Sequence, residues 1–310
     1  MLIESLISQT GLSRSKLCSY ADTASQRYVV YEIPKRRGGF RKIEHPSRQI
    51  KAIQRWLNIA FIGRLPVHKC ATAYLRGSSI RENASRHLKS NFTLRVDFKD
   101  FFPSFKSDHI KLFLKELSTT APISLDEADI LFIQQIVCRN NALTIGAPSS
   151  PILTNAMMYD YDFYFSGWCS QRDMIYSRYA DDIFISTREP NKLNEALDEI
   201  LTFSSNYRFA SLTINNEKTS YLSRRYRRTI TGLIITPERT LSIGKERKMR
   251  LKSDIYAFKK QRLPADEWRR VIGTLAFVSD VEPAFYQILI RKYGVETINS
   301  LKELKLPIIN

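Results

Sequence analysis

Two adjacent carboxylates interrupt a stretch of the chain that otherwise has the pattern of a half-buried strand. In the sequence IYSRYADDIFIS, residues 175–186, β-branched and aromatic residues flank Asp181 and Asp182 on both sides. Successive side chains of a regular strand point to opposite faces, so one carboxylate would enter the core and would need a cation. We therefore expect the pair at the tip of a tight hairpin, where both carboxylates face solution. A plain aspartate turn, favoured by the loop geometry alone, is the alternative.

A third acidic residue lies where it could join this pair. Asp97 comes at the end of the predicted strand FTLRVDF, residues 92–98. Three carboxylates at neighbouring strand ends would form an oxygen-rich site of the kind that Mg²⁺ prefers. Two metal ions held there could activate an attacking hydroxyl and stabilise a leaving pyrophosphate, which is the chemistry of polymerases. Asp100 stays outside the predicted site, because strand alternation turns it away and it is placed to cap the next segment.

The charge of the chain points to a polyanionic partner. The 310 residues include 48 Lys and Arg against 31 Asp and Glu, a formal net charge of +17, which makes nucleic acid the first candidate. No apolar run approaches about 20 residues and the N-terminus has no secretory pattern, so we expect a cytoplasmic protein without a membrane partner. The cysteines lack any C-x-x-C spacing, which predicts reduced, mostly buried thiols rather than a zinc site or a disulfide framework. They are Cys18, Cys70, Cys138 and Cys169.

The apolar pattern changes between helical and strand spacing along the chain. The first 27 residues predict two helices separated at Gly11, with Ser13 as the N-cap of the second. The next segment, up to Ser47, predicts a hairpin with Arg36 and Arg37 at its basic tip. Amphipathic helices are predicted within residues 50–65, 112–117 and 193–201, and short strands at 92–98, around Asp181 and at 228–236. Helices and short strands in this order predict an α+β fold rather than an all-helical one.

Two further segments carry candidate contacts to nucleic acid. The loop ALTIGAPSSPILTNAM, residues 142–157, leads into a helix, and its backbone could approach a flat base closely at Gly146. Beyond Gly244 the chain is predicted to be helical and is strongly basic. A stripe formed by Lys245, Lys248 and Lys252 is either a nucleic-acid contact or a solvated face. The predicted core of this helical bundle contains Trp268, Leu275, Phe277, Phe285 and Ile288.

The order of these segments is similar to the consecutive palm motifs of reverse transcriptases. The strand with Asp97 comes first, followed by GAPSSP, by YADD, by LTINNEKT with Lys218, and by ITGLII. The resemblance covers about residues 25–240. Within that family the chain resembles the bacterial retron reverse transcriptases, because NASRH at 83–87 matches their Asn-Ala-x-x-His element. In addition, ITG at 230–232 stands where they carry Val-Thr-Gly.

The resemblance implies a right-hand polymerase architecture with fingers, a palm made of an antiparallel sheet on helices, and a small helical thumb. Residues 1–90 would form the N-terminal helices and fingers. Residues 91–243 would form the palm, with a fingers segment inserted at about 105–142. Residues 244–310 would form the basic helical thumb, which would grip an RNA stem by its A-form shape.

The resemblance also implies roles for individual residues. Asp97 and Asp181 would bind two Mg²⁺ ions, for which Mn²⁺ is a candidate substitute, with help from the Phe98 carbonyl. Asp182 would support the site, and Lys218 would act electrostatically or as an acid near the departing phosphates. The predicted nucleotide-binding residues are Phe101, Phe102, Gly146, Ala147 and Lys218. The predicted primer, template and RNA contacts are Tyr179, Asn83, His87, Lys245, Lys248 and Lys252.

Phe102 and Ile145 bear on what the enzyme would select. Phe102 matches the aromatic residue that stacks under the incoming sugar and excludes a 2′-OH, so the product would be DNA. Ile145 stands where the family usually has Gln, which removes a polar contact to the template or nucleotide. For Asn83 and His87, a helix cap and a buried histidine are the alternative to direct RNA contact.

The resemblance implies an RNA-directed DNA polymerase that copies part of a structured noncoding RNA into a branched, RNA-linked single-stranded DNA (msDNA). Synthesis would start from the 2′-OH of an internal guanosine and use dNTPs, within an anti-phage system that includes an effector protein encoded nearby. One alternative is another small bacterial reverse transcriptase, of the diversity-generating or abortive-infection type, against which NASRH and ITG argue. The other is an RNA-binding scaffold that restrains the effector protein, against which the intact Asp97, Asp181 and Asp182 argue.

Overall fold

The chain folds into helices and short strands, and the computed structural model describes residues 2–35, 38–120, 125–225 and 227–303. The helices are α1 (Leu2–Thr10), α2 (Arg14–Asp22), α3 (Arg48–Ala60), α4 (Ile80–Arg86), α5 (Phe101–Ser104), α6 (Ser107–Thr120), α7 (Glu127–Val137), α8 (Ser150–Met157), α9 (Tyr159–Ser170), α10 (Leu193–Ser205), α11 (Lys245–Lys259), α12 (Trp268–Val281), α13 (Pro283–Tyr293) and α14 (Val295–Glu303). The strands are β1 (Tyr28–Pro34), β2 (Phe40–Pro46), β3 (Phe92–Lys99), β4 (Ile175–Tyr179), β5 (Asp182–Thr187), β6 (Thr213–Ile214), β7 (Ser220–Ser223), β8 (Arg228–Ile230), β9 (Leu233–Ile235) and β10 (Leu241–Ser242). Arg36 and Arg37, predicted at the hairpin tip, lie outside the described residues.

The chain divides into two compact units. The first contains the described residues up to Ser78 together with Phe92–Tyr221, and the second contains Ser79–Asn91 together with the described residues from Leu222 onward. The predicted α+β class is confirmed, whereas the predicted boundaries of fingers, palm and thumb stay a prediction. Within the described ranges, no helix is both long and apolar enough to cross a membrane. All four cysteines are free thiols, and three of them are buried, as predicted.

An antiparallel sheet organises the first unit. Its strands lie in the order β4, β5, β3, β6, and β3 pairs with β5 so that Asp97 faces Asp182 across the ladder. Helices α9 and α10 pack against this sheet, where Leu94, Val96 and Ile183 are fully buried. The side chains of neighbouring strands therefore bring the predicted acidic residues to one end of the sheet.

Local sequence signals place several elements as predicted. Ser13 caps α2, since its hydroxyl accepts a hydrogen bond from the Lys16 amide at 3.3 Å. Helix α3 buries Ile50, Ile53 and Leu57, the stripe that the helical spacing predicted. The predicted hairpin forms from β1 and β2, which pair in antiparallel register along their whole length.

A buried ion pair fixes the β4–β5 hairpin to α9. The side chains of Asp162 and Arg178 are completely buried, and the Arg178 Nε and Nη2 atoms donate to Asp162 at 2.8 and 2.6 Å. Tyr176 donates its hydroxyl to the same carboxylate at 2.7 Å, and Arg178 Nη1 donates to Asn155 Oδ1 and to the Ala180 carbonyl, each at 3.1 Å. Burial lowers the pKa of Arg178, but the adjacent carboxylate more than compensates and the net pKa is raised.

The β1–β2 hairpin lies against the loop that precedes α8. The Glu44 amide donates a hydrogen bond to the Ile145 carbonyl at 2.8 Å. Gly146 has φ +119°, and a Cβ atom built there would lie 2.9 Å from the Glu44 carbonyl oxygen and 3.1 Å from Ile43 Cγ2. The absence of a side chain at Gly146 is therefore needed for its close approach to strand β2, and the predicted contact with a base stays a prediction.

The second unit combines a small sheet with a helical bundle. Helix α4 packs against β8, β9 and β10, and α11, α12, α13 and α14 pack on one another. The prediction of one strand at 228–236 was wrong, because Thr231 (φ 46°) and Gly232 (φ 81°) adopt left-handed conformations that turn the chain into the β8–β9 hairpin. The prediction of a core position for Ile288 was also wrong, since Leu289 takes the buried face of α13 and Ile288 is 49% exposed.

We expect the change Asp162→Ala to destabilise the protein by about 3–5 kcal/mol, because Arg178 would stay charged, buried and unpaired. Urea unfolding followed by circular dichroism measures this difference. Glu195→Ala is the matched control, since Glu195 pairs with Arg172 at 2.8 Å where both side chains are partly exposed, and its loss should cost less than about 1 kcal/mol. Equal losses in the two variants would contradict the structural role of the buried pair.

We expect the change Gly146→Ala to destabilise the protein by about 1–3 kcal/mol, since the new Cβ atom meets the Glu44 backbone and the φ angle disfavours alanine. The same unfolding measurement applies. Gly167→Ala is the control, because Gly167 lies within α9 with no atom within 4 Å of its Cβ position, so the change should be neutral or slightly stabilising. A Gly146→Ala protein as stable as the Gly167→Ala protein would refute the close packing of β2 on this loop.

Candidate active site

Asp97 lies near the end of β3 and is enclosed by polar groups from the segment after β6. Its main-chain carbonyl accepts a hydrogen bond from the Asn215 amide at 2.8 Å. Its Oδ1 atom accepts hydrogen bonds from Lys218 Nζ at 2.8 Å and from Asn215 Nδ2 at 3.3 Å. Asp97 is only 4% exposed, whereas the side chain of Lys218 is 54% exposed. The predicted Lys218 is thus hydrogen-bonded directly to the predicted carboxylate of Asp97, and the rest of the lysine side chain lies in solvent.

Asp181 lies in the turn between β4 and β5. The preceding residue, Ala180, has φ 57°, and the Asp181 carbonyl accepts a hydrogen bond from the Phe98 amide at 3.2 Å. The predicted hairpin tip is therefore bonded directly to the strand that carries Asp97. Burial raises the pKa of Asp181 and the negative charge of Asp97 adds to the rise, while Lys218 and Arg41 oppose it.

Asp182 begins β5 and is held by Arg95. The guanidinium contacts both carboxylate oxygens, with Nε–Oδ1 at 3.0 Å, Nη2–Oδ1 at 2.8 Å and Nη2–Oδ2 at 3.2 Å. Burial raises the pKa of Asp182 to about 6, although Arg95 opposes the shift. The sequence pattern predicted that a carboxylate turned into the fold would need a cation, and Arg95 is that cation. Asp181 and Asp182 are both half-buried, so the prediction that the two carboxylates face solution holds only in part.

The three acidic residues differ in how their charge is balanced. Asp97 pairs with Lys218 and Asp182 pairs with Arg95, whereas Asp181 forms no ion pair with any described residue. Each of the two paired carboxylates has a fixed cation at hydrogen-bond distance. Asp181 is consequently the acid whose charge is left for a ligand from solution.

The chemistry of these donors fits a hard divalent cation. Among the described residues, no group of three or more His, Cys, Asp and Glu side chains is arranged to hold a metal ion. Asp97 and Asp181 nevertheless supply carboxylate oxygens on two segments joined by a backbone hydrogen bond, and the repulsion between their charges would be relieved by a cation. Arg95 contacts both carboxylate oxygens of Asp182, whereas Lys218 contacts only one oxygen of Asp97, which makes Asp97 and Asp181 the better ligands. The predicted set of three carboxylates stays a prediction.

The predicted nucleotide-binding residues fall into two groups by burial. Phe101 is 5% exposed and stacks on Phe98 with ring centroids 5.7 Å apart, so it is a core residue. Its neighbour Phe102 is half-buried, with its ring centroid 5.6 Å from that of Phe101, and it keeps a surface for a ligand. The Ala147 side chain is 4% exposed, so only the backbone there could border a base pair. The Phe101 ring fills the core, so only its backbone is left for the predicted nucleotide contact, which stays a prediction.

Two residues near Asp181 were missed by sequence reasoning. Tyr74 is 49% exposed with φ 62°, and burial together with the charges of Asp181 and Tyr179 raises its pKa. The positive charge of Arg41, on β2, opposes the rise in pKa of both Asp181 and Tyr74. Tyr179, the predicted primer contact, is half-buried and pairs with Asp182 in the ladder. The sequence around Tyr74 has no pattern that would reveal it, because a left-handed backbone at a tyrosine follows from tertiary contacts.

Arg95 and Asn215 were also missed, although the sequence contains a signal for the first. Arg95 precedes Asp97 by two residues on the same strand, so both side chains point to the same face of the sheet. A basic residue at that spacing could have been recognised as the cation for Asp182. Asn215 could not, because its contacts with Asp97 depend on the pairing of β6 with β3.

The structure places Asn83 and His87 in the interior of the second unit. Both are fully buried, and burial lowers the pKa of His87 to about 3, so the imidazole is neutral. The prediction that they contact RNA directly is corrected here, since neither side chain reaches the surface. The alternative of a cap is also wrong for Asn83, because Ser79 caps α4 and Asn83 lies inside the helix.

Two of the three predicted RNA-binding lysines of α11 lie partly against the bundle. Lys248 contacts the Glu282 carboxylate, and its Nζ atom lies 5.0 Å from the centre of the Phe285 ring. Lys252 Nζ lies 5.5 Å from the same ring, and both lysines are half-buried. Lys245, at the start of the helix, is exposed. Glu282 therefore balances the charge of Lys248, whereas Lys252 lies only beside the Phe285 ring and its predicted RNA contact stays a prediction.

The chain is similar to known proteins over most of its length. Residues 33–236 match the family described as reverse transcriptase (RNA-dependent DNA polymerase). The chain is 35% identical over 283 residues to the retron Ec83 reverse transcriptase of Escherichia coli, covering 89% of this chain and 90% of that protein. It is 30% identical over 289 residues to the retron Ec86 reverse transcriptase of Escherichia coli, covering 90% of this chain and 87% of that protein.

The fold also resembles solved structures. Apo telomerase from Candida tropicalis matches with a TM-score of 0.52 and 14% identity, over 90% of this chain and 58% of the telomerase chain. At that identity the likeness concerns the fold alone, and it agrees with the α+β class. The family match and the identities to the E. coli proteins confirm the resemblance seen in the sequence motifs. The chain therefore belongs to the reverse transcriptases and, within them, to the retron reverse transcriptases.

Proposed function

We propose that this enzyme copies part of a structured noncoding RNA into msDNA, beginning at the 2′-OH of an internal guanosine. Retron reverse transcriptases are msDNA-synthesising, RNA-directed DNA polymerases, and this activity requires a template RNA and dNTPs. The product is a single-stranded DNA that stays linked to its RNA by a branch. The complex acts with an effector protein in defence against phage, as the resemblance to retron enzymes implies.

A single contact carries the assignment of the chemistry to Asp97 and Asp181. The hydrogen bond from the Phe98 amide to the Asp181 carbonyl, at 3.2 Å, joins the strand of one acid to the turn of the other. Both backbones are held by sheet pairing, since β3 and β5 are paired up to Asp97 and Asp182. A site on paired strands keeps its side chains in a fixed relation, which catalysis of nucleotidyl transfer needs.

Reverse transcriptases generally use divalent metal ions. Two Mg²⁺ ions, or Mn²⁺ in their place, would be held by the carboxylates of Asp97 and Asp181 and by the Phe98 carbonyl. Such ions activate the primer hydroxyl and stabilise the departing pyrophosphate. The chain's own contribution is to hold the two carboxylates together and to keep Asp182 in place behind them through Arg95.

The remaining roles follow from exposure and charge. Lys218 has a largely exposed side chain, so its ammonium group can turn toward the departing phosphates and stabilise their charge. Phe102 stacks under the incoming sugar and selects dNTPs, and its half-buried ring supports this role. Tyr179, at the end of β4 and two residues before Asp181, contacts the primer end.

We expect Asp97→Asn and Asp181→Asn each to lower DNA synthesis at least about a hundredfold, because a lost metal ligand removes several kcal/mol of transition-state stabilisation. The protein is expressed with the RNA encoded beside its gene, and extracted nucleic acid is examined for a short branched DNA that shortens on RNase treatment. Binding of the same RNA, measured by mobility shift, should stay within about twofold of wild type. Branched DNA from Asp181→Asn at the wild-type level would refute the assignment of the site.

We expect Arg95→Met to lower primer extension about 10- to 100-fold and to raise the Mg²⁺ concentration needed for half-maximal rate, because Asp182 loses its ion pair with Arg95. Extension of a DNA primer on a generic RNA template, titrated with Mg²⁺, measures both effects. Arg172→Met is the matched control, since Arg172 pairs with Glu195 on the surface of the same unit. If Arg95→Met shows the wild-type Mg²⁺ dependence, Arg95 does not position Asp182 for the reaction.

A further inference from the structure

A short arginine-rich segment joins β7 to β8 in the second unit. The sequence SRRYRRT contains Arg224, Arg225, Arg227 and Arg228, and Arg239 follows in the turn between β9 and β10. Tyr226 lies outside the described residues. Four of these five arginines are exposed, and Arg228 is the exception. The reaction described above gives this concentration of positive charge no role.

Arg228 is a buried cation that lacks a counter-charge. It is 1% exposed, and its Nη1 atom donates to the Ser90 carbonyl at 2.5 Å. Its Nε and Nη2 atoms have no hydrogen-bond partner among the described residues. Those two atoms form the edge of the guanidinium group that binds an oxyanion through two parallel hydrogen bonds. Two donors of this buried cation are therefore left without a partner in the part of the chain that the structure describes.

The surroundings of Arg228 add positive charge instead of balancing it. Burial lowers the pKa of Arg228, and the charges of Arg224 and Arg239 lower it further. Arg224 donates to the Pro237 carbonyl at 3.0 Å, which satisfies a donor without supplying a negative charge. Glu238 is exposed and lies within the electrostatic reach of Arg224, but none of the five arginines forms an ion pair with a described carboxylate. Like charges held together in this way favour an anion from outside the chain.

We propose that Arg224, Arg228 and Arg239 form a binding site for backbone phosphates of the noncoding RNA. The exposed Arg224 and Arg239 meet the phosphates directly, whereas Arg228, which is 1% exposed, is stabilised by the phosphate charge from inside the fold without touching it. A polyanion is favoured over a single phosphate because the exposed arginines extend the positive surface beyond one guanidinium group. Contacts of this kind position an RNA without reading its bases. The identity of the RNA rests on the proposed function, whereas the phosphate chemistry does not.

The test measures binding of the full-length protein to the RNA encoded beside its gene, over a series of salt concentrations. The exposed pair is changed together, as Arg224→Gln with Arg239→Gln, and the affinity should fall at least about tenfold. The slope of log K against log salt should flatten by about two, because two phosphate contacts are lost. Arg208→Gln is the matched control, since Arg208 is an exposed arginine of the first unit that pairs with Glu116 and Asp160. The RNA affinity and the salt slope of this variant should match those of the wild-type protein.

Arg228→Met tests the buried cation separately. The methionine removes the unpaired charge and keeps much of the volume, so the RNA-free protein should melt no lower than wild type. The increase in melting temperature on adding RNA should be smaller than for wild type. A rise in melting temperature that equals that of wild type would overturn the role of Arg228. The exposed double variant decides the site even if Arg228→Met folds poorly.

Two further measurements distinguish a failure of the arginine site from a failure of the proposed polymerase function. Wild-type affinity and salt slope in the double variant would overturn the proposal. It would also be overturned if orthophosphate raised the melting temperature of the wild-type protein while the substitutions left RNA binding unchanged. The second result would assign the arginines to a small phosphate. Primer extension by the wild-type protein on a generic RNA template tests the proposed polymerase activity independently. Extension together with unchanged RNA binding in the double variant refutes the arginine site alone.

Discussion

The ion pair between Asp162 and Arg178 is the interaction on which the geometry of the active site depends. The pair is completely buried, and its hydrogen bonds connect α9 with β4 and with the carbonyl of Ala180 in the hairpin turn. Ala180 has a left-handed backbone, a conformation that alanine adopts only when surrounding contacts hold it there. The next residue is Asp181, whose carbonyl bonds to β3. A charge pair in the core thus determines where a carboxylate at the surface of the sheet stands.

Two cations balance the charges of the acidic residues at the end of the sheet. Asp97 and Asp182 face each other across the β3–β5 ladder, and two carboxylates at that spacing repel each other. Lys218 and Arg95 remove the repulsion by pairing with one acid each. The guanidinium of Arg95 contacts both oxygens of its partner, whereas Lys218 contacts one oxygen from an exposed stem. The two cations therefore suit different roles. Arg95 fixes the side chain of Asp182, whereas Lys218 is able to move away from Asp97.

The sequence predicts the elements that depend on local patterns and misses those that depend on distant partners. The hairpin tip with Asp181, the strand with Asp97 and the cap at Ser13 all follow from periodicity and turn chemistry, and the structure contains them. The orientation of Lys248 could not be predicted, because Glu282 and Phe285 turn it inward from the far side of the bundle.

Burial of motif residues was equally hidden from the sequence. His87 belongs to the segment NASRH, yet its burial is decided by how α4 packs on the small sheet and not by the local sequence. The break at Thr231 was missed for a different reason, since threonine rarely adopts a left-handed conformation and its strand propensity conceals the turn.

The two fully buried arginines show how partners separate a structural charge from a functional one. Arg178 uses Nε and both terminal nitrogens, and a buried carboxylate balances its charge. Arg228 uses one nitrogen on a neutral carbonyl, and the charges around it have the same sign. Both residues carry a desolvation penalty, but only the first recovers it within the folded chain. A polyanion bound by the neighbouring exposed arginines would supply negative charge close to the second, which is the role that we propose for the RNA backbone.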